Sequence, residues 1–392
     1  MSRGARWRRA LYVSYTNPAA LPPLERGARL LAEDGWEVLL LGTGAFGAAD
    51  SLRFRPREGV TVRRMPICPA GWRQKLHFLG FSLWVLFWVA RWRPQLVYAS
   101  DPLSCPVVWA LSFVPGLRIL YHEHDTPMDR PASLPMRLCL AARRSLATRA
   151  ELCLLPNPER AARFAREMAP RGPCALSVRN CPSRSEVAPR RGPHDGGSVW
   201  LLYCGSVVPA RLPPAVLRAL GRLPTALKLR VLGYETVGHA GYPARLRQMA
   251  EELVLGDRFE WLGAVPTRDE LLEWGRRCDL GLALMPRGSD DVNMRHMAGA
   301  SNKPFDYLAC GLALLVSDLP DWRRMYVEPG YALACDPEGP ESIASALGWF
   351  LDHRREMREM GERGRVRVLE EWNYEREFEP VLWRMREPRP PR

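Results

Sequence analysis

The sequence predicts an α/β chain of two doubly wound, Rossmann-like domains with a helical C-terminal tail. Three observations carry this. Short β-branched or aliphatic runs alternate with longer stretches of helical period through most of the 392 residues. The alternation breaks once, in a segment rich in Pro, Gly, Ser and Arg at 171–198, and then resumes. The charge divides at nearly the same place: residues 1–195 carry 29 basic and 15 acidic groups, net +14, and the remainder 27 and 28, net −1. At 47 % hydrophobic and 25 % charged the chain is globular and long enough for two cores. A uniformly basic chain would point to nucleic acid; one basic half points to two units with different partners.

In the first half, strands are expected at 11–14, 38–41, 60–65, 96–99, 119–121 and 152–155, with helices at 24–34, 76–91, 135–147 and 158–168. The second half restarts with strands at 199–204, 229–232, 259–262, 280–285 and 313–316, and residues 340–385 read as helix. The domains are therefore placed at 1–180 and 199–372, joined by a linker at 181–198, with a helix at 373–392 expected to pack back on the first. Two such domains facing each other make a cleft, and ligands of doubly wound sheets lie beyond the carboxyl ends of the strands.

Several classes are set aside by composition. The ten cysteines are scattered, with no CxxC pair and most in apolar runs such as Leu152-Cys153-Leu154, the usage of buried free thiols in a reducing compartment. After the basic start, Met1 to Arg9, the run Ala10 to Tyr15 is too short and tyrosine-rich for a signal-peptide core, so a cytoplasmic protein is expected. The longest uncharged stretch, Leu76 to Ala90, has 15 residues, short of a roughly 30 Å bilayer core at ~1.5 Å per residue. Arg73, Lys75, Arg91 and Arg93 flank it, and Trp84, Trp88 and Trp92 fall on one face. It is either a buried helix or one that lies in a membrane interface. A second basic run, Arg137 to Arg149, could meet anionic lipid or a phosphate-bearing acceptor. No stacking platform accompanies the basic residues, so no nucleic-acid partner is expected.

Four strand-end segments can carry chemistry. Gly42-Thr43-Gly44-Ala45-Phe46-Gly47 fits G-x-G-x-x-G but follows the second strand and opens no apolar helix, so it reads as a loop. His122-Glu123-His124-Asp125 follows a strand and could hydrogen-bond a substrate or move a proton; no further His or Cys completes a metal ligand set. Gly205-Ser206 ends another strand, with Arg211 before the helix opened by Pro213-Pro214: close backbone approach, free N–H groups and a guanidinium fork suit a phosphate. Last comes Ser301-Asn302-Lys303-Pro304-Phe305-Asp306-Tyr307. Lys303 is one of three lysines against 53 arginines, and Asp306 lies three residues on, a cation for phosphates beside a carboxylate for sugar hydroxyls.

Residues 302–311 with Val316-Ser317-Asp318, and with Val178-Arg179-Asn180-Cys181-Pro182, Gly205 with Arg211, Leu262-Gly263 and Asp279-Leu280-Gly281-Leu282, resemble the family-4 glycosyltransferases of GT-B fold. The resemblance spans nearly the whole chain and implies that the C-terminal domain binds a nucleotide-sugar donor and the N-terminal domain an acceptor: a glycan, a lipid-linked group or a small molecule. It implies that Arg211 and Lys303 stabilise the departing diphosphate. Gly205 and Ser206 would admit the phosphates, Leu262 and Gly263 contact the base, and Asn302 and Asp306 contact the donor. His122 would meet the sugar, with Glu123, His124 and Asp125 on the acceptor side, and transfer would be retaining with no metal or other cofactor. Two positions depart from the pattern: Ala298 stands where the family's first motif glutamate would be, leaving Asp290 or Asp291 as nearby acids, and Leu212-Pro213 follow Arg211 where a lysine is common. A nucleotide-sugar epimerase and a non-catalytic nucleotide-sugar or polyanion binder remain alternatives. Anionic membrane at the inner face is a further expected partner of the basic half.

Overall fold

The computed structural model describes residues 8–127, 133–168, 175–190 and 197–388. The basic start before Arg8, Cys174 and the centre of the expected linker lie outside these residues. The chain divides into two compact units, Met1–Arg179 with Glu377–Arg392, and Asn180–Arg376.

The first unit holds a seven-stranded, wholly parallel sheet of β1 (Arg8–Ser14), β2 (Trp36–Thr43), β3 (Val60–Met65), β4 (Leu96–Ser100), β5 (Arg118–His122), β6 (Leu152–Leu155) and β7 (Ala175–Ser177). Their order in space is β3-β2-β1-β4-β5-β6-β7, so the winding reverses between β1 and β4. The central strands read as continuous apolar runs because both faces are covered; Leu11, Val13, Val97 and Ala99 are fully buried. The unit's helices are α1 (Pro22–Glu33), α2 (Trp72–Trp92), α3 (Cys105–Leu111), α4 (Leu134–Ala147) and α5 (Pro158–Met168). Side chains from α2 to α5 join one apolar cluster with the sheet, including Phe81, Val108, Leu146 and Phe164. Residues 42–47 end β2 and lead into a single 3-10 turn, Gly47–Asp50, rather than a phosphate-facing helix.

The second unit repeats the plan with β8 (Val199–Ser206), β9 (Leu227–Tyr234), β10 (Phe259–Gly263), β11 (Leu280–Ala283), β12 (Ala313–Ser317) and β13 (Ala332–Cys335), in the order β10-β9-β8-β11-β12-β13. Around it lie α6 (Ala215–Gly221), α7 (Tyr242–Glu252), α8 (Arg268–Arg276), α9 (Val292–Arg295), α10 (Asn302–Ala309), α11 (Pro320–Trp322), α12 (Pro340–Asp352) and α13 (Arg354–Glu370). The pattern of the sequence marks neither β13 nor α3, and β7 lies inside the 171–198 segment where the alternation breaks. β13 is Ala-Leu-Ala-Cys, low in β propensity, and is a strand because it pairs in register with β12 at the sheet edge.

The final helix, α14 (Tyr374–Arg386), returns to the first unit. Phe378 and Val381 are buried, and the Phe378 ring lies 3.4 Å from the space above Gly27 of α1. Arg118 donates to the carbonyls of Arg384, Met385 and Glu387 while pairing with Glu151, and Arg386 pairs with Asp34. Eight of the nine described cysteines are buried.

Candidate functional site

In the second unit the winding reverses between β8 and β11, and the crevice beyond their carboxyl ends is where such a sheet holds a ligand. α10 docks there on β11. A Cβ on Gly281 would lie 2.3 Å from the Tyr307 ring, so only glycine lets the helix come this close. The Tyr307 hydroxyl accepts the N–H of Cys204 at 2.9 Å, which ties α10 to β8 as well. Tyr307 thereby sets where Lys303, one turn earlier, emerges.

Lys303 is 8 % exposed. Its ammonium donates to the Tyr203 hydroxyl at 3.2 Å, and that hydroxyl donates on to the Ser206 carbonyl at 2.5 Å, so lysine and strand-end loop are held together. Arg211 is partly buried, with Nη1 3.3 Å from the Ser206 hydroxyl and Nη2 3.8 Å from the Met294 sulfur. Its Nε is buried and bonds no protein atom. Among the described residues neither cation pairs with a carboxylate. Burial, and secondarily the Arg211 guanidinium, hold the Lys303 ammonium down to about 7. Two adjacent cations with no counter-charge, at a strand end with backbone access, form a site built for an anion.

Gly205 completes it. Its φ is +108°, a region closed to other residues without strain, and a Cβ there would lie 2.9 Å from Lys303 Cε. Gly205→Ala is therefore expected to raise the donor KM about tenfold through ~1–3 kcal/mol of strain and a displaced lysine. Steady-state donor titration checks this, and an unchanged KM would refute it. Asn302 begins α10, its Oδ1 buried without a protein partner. Leu262 and Gly263 end β10, two strands from β8, roughly 10 Å away at ~4.8 Å per strand.

Asp306 is brought into a different arrangement from the one its motif suggests. Both its oxygens meet Arg268, at 2.5 and 3.1 Å, and Arg268 also pairs with Glu186. The three side chains are 5 %, 14 % and 6 % exposed. Asp306 belongs to a buried ion triad linking α10, α8 and the turn at Arg184–Glu186, rather than standing free beside Lys303. Neither Arg268 nor Glu186 carries a local motif in the sequence that marks it. Of the nearby acids, Asp291 accepts the N–H of Asn293 as the cap of α9, and Asp290 is exposed.

The matching reversal in the first unit lies between β1 and β4. Ser14, Ser100 and His122 end β1, β4 and β5 in register, side by side at the carboxyl edge. Each is buried, with Oγ or Nε2 making no protein hydrogen bond. His122 Nδ1 bonds the Tyr98 hydroxyl, and the His122 and His124 rings lie 3.9 Å apart. Burial pushes His122 well below the ordinary histidine value and His124 to about 4, so both rings are neutral at pH 7. Asp101, just past β4, accepts the N–H of His124 at 2.8 Å, and burial raises its carboxyl to about 7. Nothing in the sequence marks Asp101 beyond its place directly after a strand. Glu123, expected toward the acceptor, is instead locked to Arg143 and the Tyr121 hydroxyl, with Arg143 also holding Glu167. Asp125 is mostly exposed, 3.8 Å from Arg160. Among the described residues no three His, Cys, Asp or Glu side chains are grouped to hold a metal ion.

Comparison with known proteins bears on the family and the fold. Residues 24–177 match the family described as glycosyl transferase 4-like domain, and residues 214–382 the family described as glycosyl transferase-like. No curated protein sequence matches the chain. Among solved structures, sucrose-phosphate synthase from Thermosynechococcus elongatus is similar at 16 % identity and a TM-score of 0.70, covering 96 % of this chain and 97 % of its own. HepE from Anabaena in complex with UDP and glucose gives 14 % identity and a TM-score of 0.73, with 96 % and 99 % covered. The α,α-trehalose 6-phosphate synthase of Burkholderia multivorans gives 13 % and 0.68, with 97 % and 98 % covered. Between them the two family matches take in both units, and the chain belongs to the family-4-like glycosyltransferases of GT-B fold, enzymes that transfer a sugar from a nucleotide-sugar donor.

Proposed function

We propose that the second unit binds a uridine-diphosphate sugar and that the first unit presents the acceptor hydroxyl, with transfer retaining the anomeric configuration as the family resemblance implies. The observation that carries the donor assignment is the pair of unpaired cations, Arg211 and Lys303, beside Gly205 at the end of β8. As the bond from the anomeric carbon to the diphosphate breaks, negative charge grows on the leaving oxygens, and the two fixed cations are stronger partners for that charge than for the intact donor. They supply the role a metal would otherwise take. Asn302 and the loop at Leu262–Gly263 are the donor's further contacts, and Asp306 acts through Arg268 by holding α10 in place. UDP is favoured among nucleotides because HepE, similar over nearly its whole length, is solved with it. His122, His124 and Asp101 receive the acceptor; two neutral imidazoles can hydrogen-bond a hydroxyl, and a carboxyl raised to about 7 can take its proton. The excess positive charge of this half suits an acceptor at the anionic cytoplasmic face of a membrane.

Thermal-shift titration with UDP, GDP and ADP tests the donor reading, since a ligand at 100 times its Kd adds about 2.7 kcal/mol. UDP is expected to stabilise the protein most. No shift with any nucleotide diphosphate would sink the donor assignment. Binding without turnover on any acceptor would favour a non-catalytic nucleotide-sugar binder, and a changed sugar in the absence of acceptor an epimerase.

A further inference from the structure

α2 is apolar on two sides. Its 21 residues include a tryptophan row, Trp84, Trp88 and Trp92, but that row packs inward with Phe81 and Val85 against the sheet of the first unit. The side left outside is also apolar: Trp72, Leu76, Leu79, Leu83, Leu86 and Phe87 are 66, 61, 57, 59, 39 and 58 % exposed. Their spacing of three and four residues draws one ridge along the helix, about 22 Å long at ~1.5 Å per residue. A helix apolar on every side belongs in a core, yet no element of the chain covers this face among the described residues. No helix there is long and apolar enough to cross a membrane.

Charge identifies what covers it. Residues 59–100 contain no Asp or Glu, while Arg73 and Lys75 lie at the start of α2 and Arg91 and Arg93 at its end. α4 repeats the composition, with Leu134 and Leu138 exposed beside Arg137 and Arg144 and no acid along its length. A second copy of this face would bring like charges together. An anionic bilayer satisfies both features at once: lipid tails take the leucines and the aromatic rings, and headgroup phosphates take the basic groups at the helix ends. α2 also begins at the carboxyl edge of the sheet, where His77 Nδ1 bonds the Tyr15 hydroxyl just past β1, so the ridge starts beside the strand ends that carry Ser14, Ser100 and His122.

We infer that α2 is an in-plane membrane anchor, laying its Trp72–Phe87 ridge into an anionic lipid surface. The inference rests on the membrane part of the proposed function and says which face makes the contact. Flotation of the full chain with vesicles of phosphatidylcholine containing about one-third phosphatidylglycerol tests it. Wild type is expected to float, and Leu79→Glu with Leu83→Glu to lower the bound fraction about tenfold or more. Each of Arg73→Gln and Arg91→Gln should weaken binding about fivefold, and raised salt should do the same. Both leucines are exposed, so the UDP-induced thermal shift of the double variant should equal that of wild type. Wild type that shows the UDP shift but does not float with the vesicles would overturn the anchor and leave the donor reading standing. Equal flotation on pure phosphatidylcholine, or a wild-type dimer that Leu79→Glu dissociates without any vesicle binding, would also overturn it.

Discussion

Lys303→Ala is expected to lower donor turnover by about 10²–10³-fold, the usual cost of removing one donor aimed at developing negative charge. Single-turnover transfer and donor hydrolysis measure it, and wild-type rates would remove Lys303 from the chemistry. The effect has a pH signature. Because Lys303 is held to about 7, well below its ordinary 10.5, the empty site loses its charge as pH rises through neutrality. A diphosphate binds the protonated form, so affinity for UDP should fall as pH rises from 6 to 9, roughly tenfold per pH unit above 7 in the limit where only the ammonium binds. The stability of the free protein runs the opposite way. Between pH 7 and 10.5 the unfolded chain binds the proton that folded Lys303 releases, so this residue's contribution rises with pH over that window. Lys303→Met should flatten both dependences, and a Met variant that keeps the wild-type pH profile for UDP would assign the titration elsewhere.

Arg268→Ala is expected to cost about 3–5 kcal/mol of stability, because it removes the guanidinium that bridges the buried carboxylates of Asp306 and Glu186. Denaturant unfolding measures this. Replacing the whole triad by Arg268→Met, Glu186→Gln and Asp306→Asn should recover much of the loss, since what destabilises is an orphaned charge rather than the absence of the pair. A loss under about 1 kcal/mol for Arg268→Ala would mean that water reaches the triad and screens it. Turnover should fall alongside stability, because α10 carries both Asp306 and Lys303 and the triad fixes its approach to α8.

The parts of this molecule legible in the sequence are those written in neighbouring residues. Continuous runs such as Leu39-Leu40-Leu41 and Val97-Tyr98-Ala99 announce strands buried on both faces, and Gly205, Arg211 and Lys303 stand out by local chemistry and by the rarity of lysine. What escaped depends on distant partners. Asp306 has the spacing of a ligand contact, and only the meeting with Arg268, 38 positions away, shows its carboxylate already engaged. Glu123 sits between two histidines in sequence, while Arg143, on α4, claims it in space. On α2 the periodicity marks two apolar faces, and nothing local to the helix tells which of them the sheet will take. Asp101 gives a single acidic residue after a strand, too little signal until the N–H of His124 closes on it.

The return of α14 has a consequence for how the protein is made. Residues that complete the first unit, from Phe378 under Gly27 to the carbonyls that Arg118 gathers at 384, 385 and 387, follow the whole of the second unit in the chain. The second unit, Asn180–Arg376, has its entire sequence translated before then. The portion synthesised first is thus the portion finished last, its α1 side waiting uncovered through about 200 further residues of synthesis, about 10–40 s at ~5–20 residues per second. A ribosome that terminates just short of Glu377 releases a chain whose second unit is whole and whose first is not.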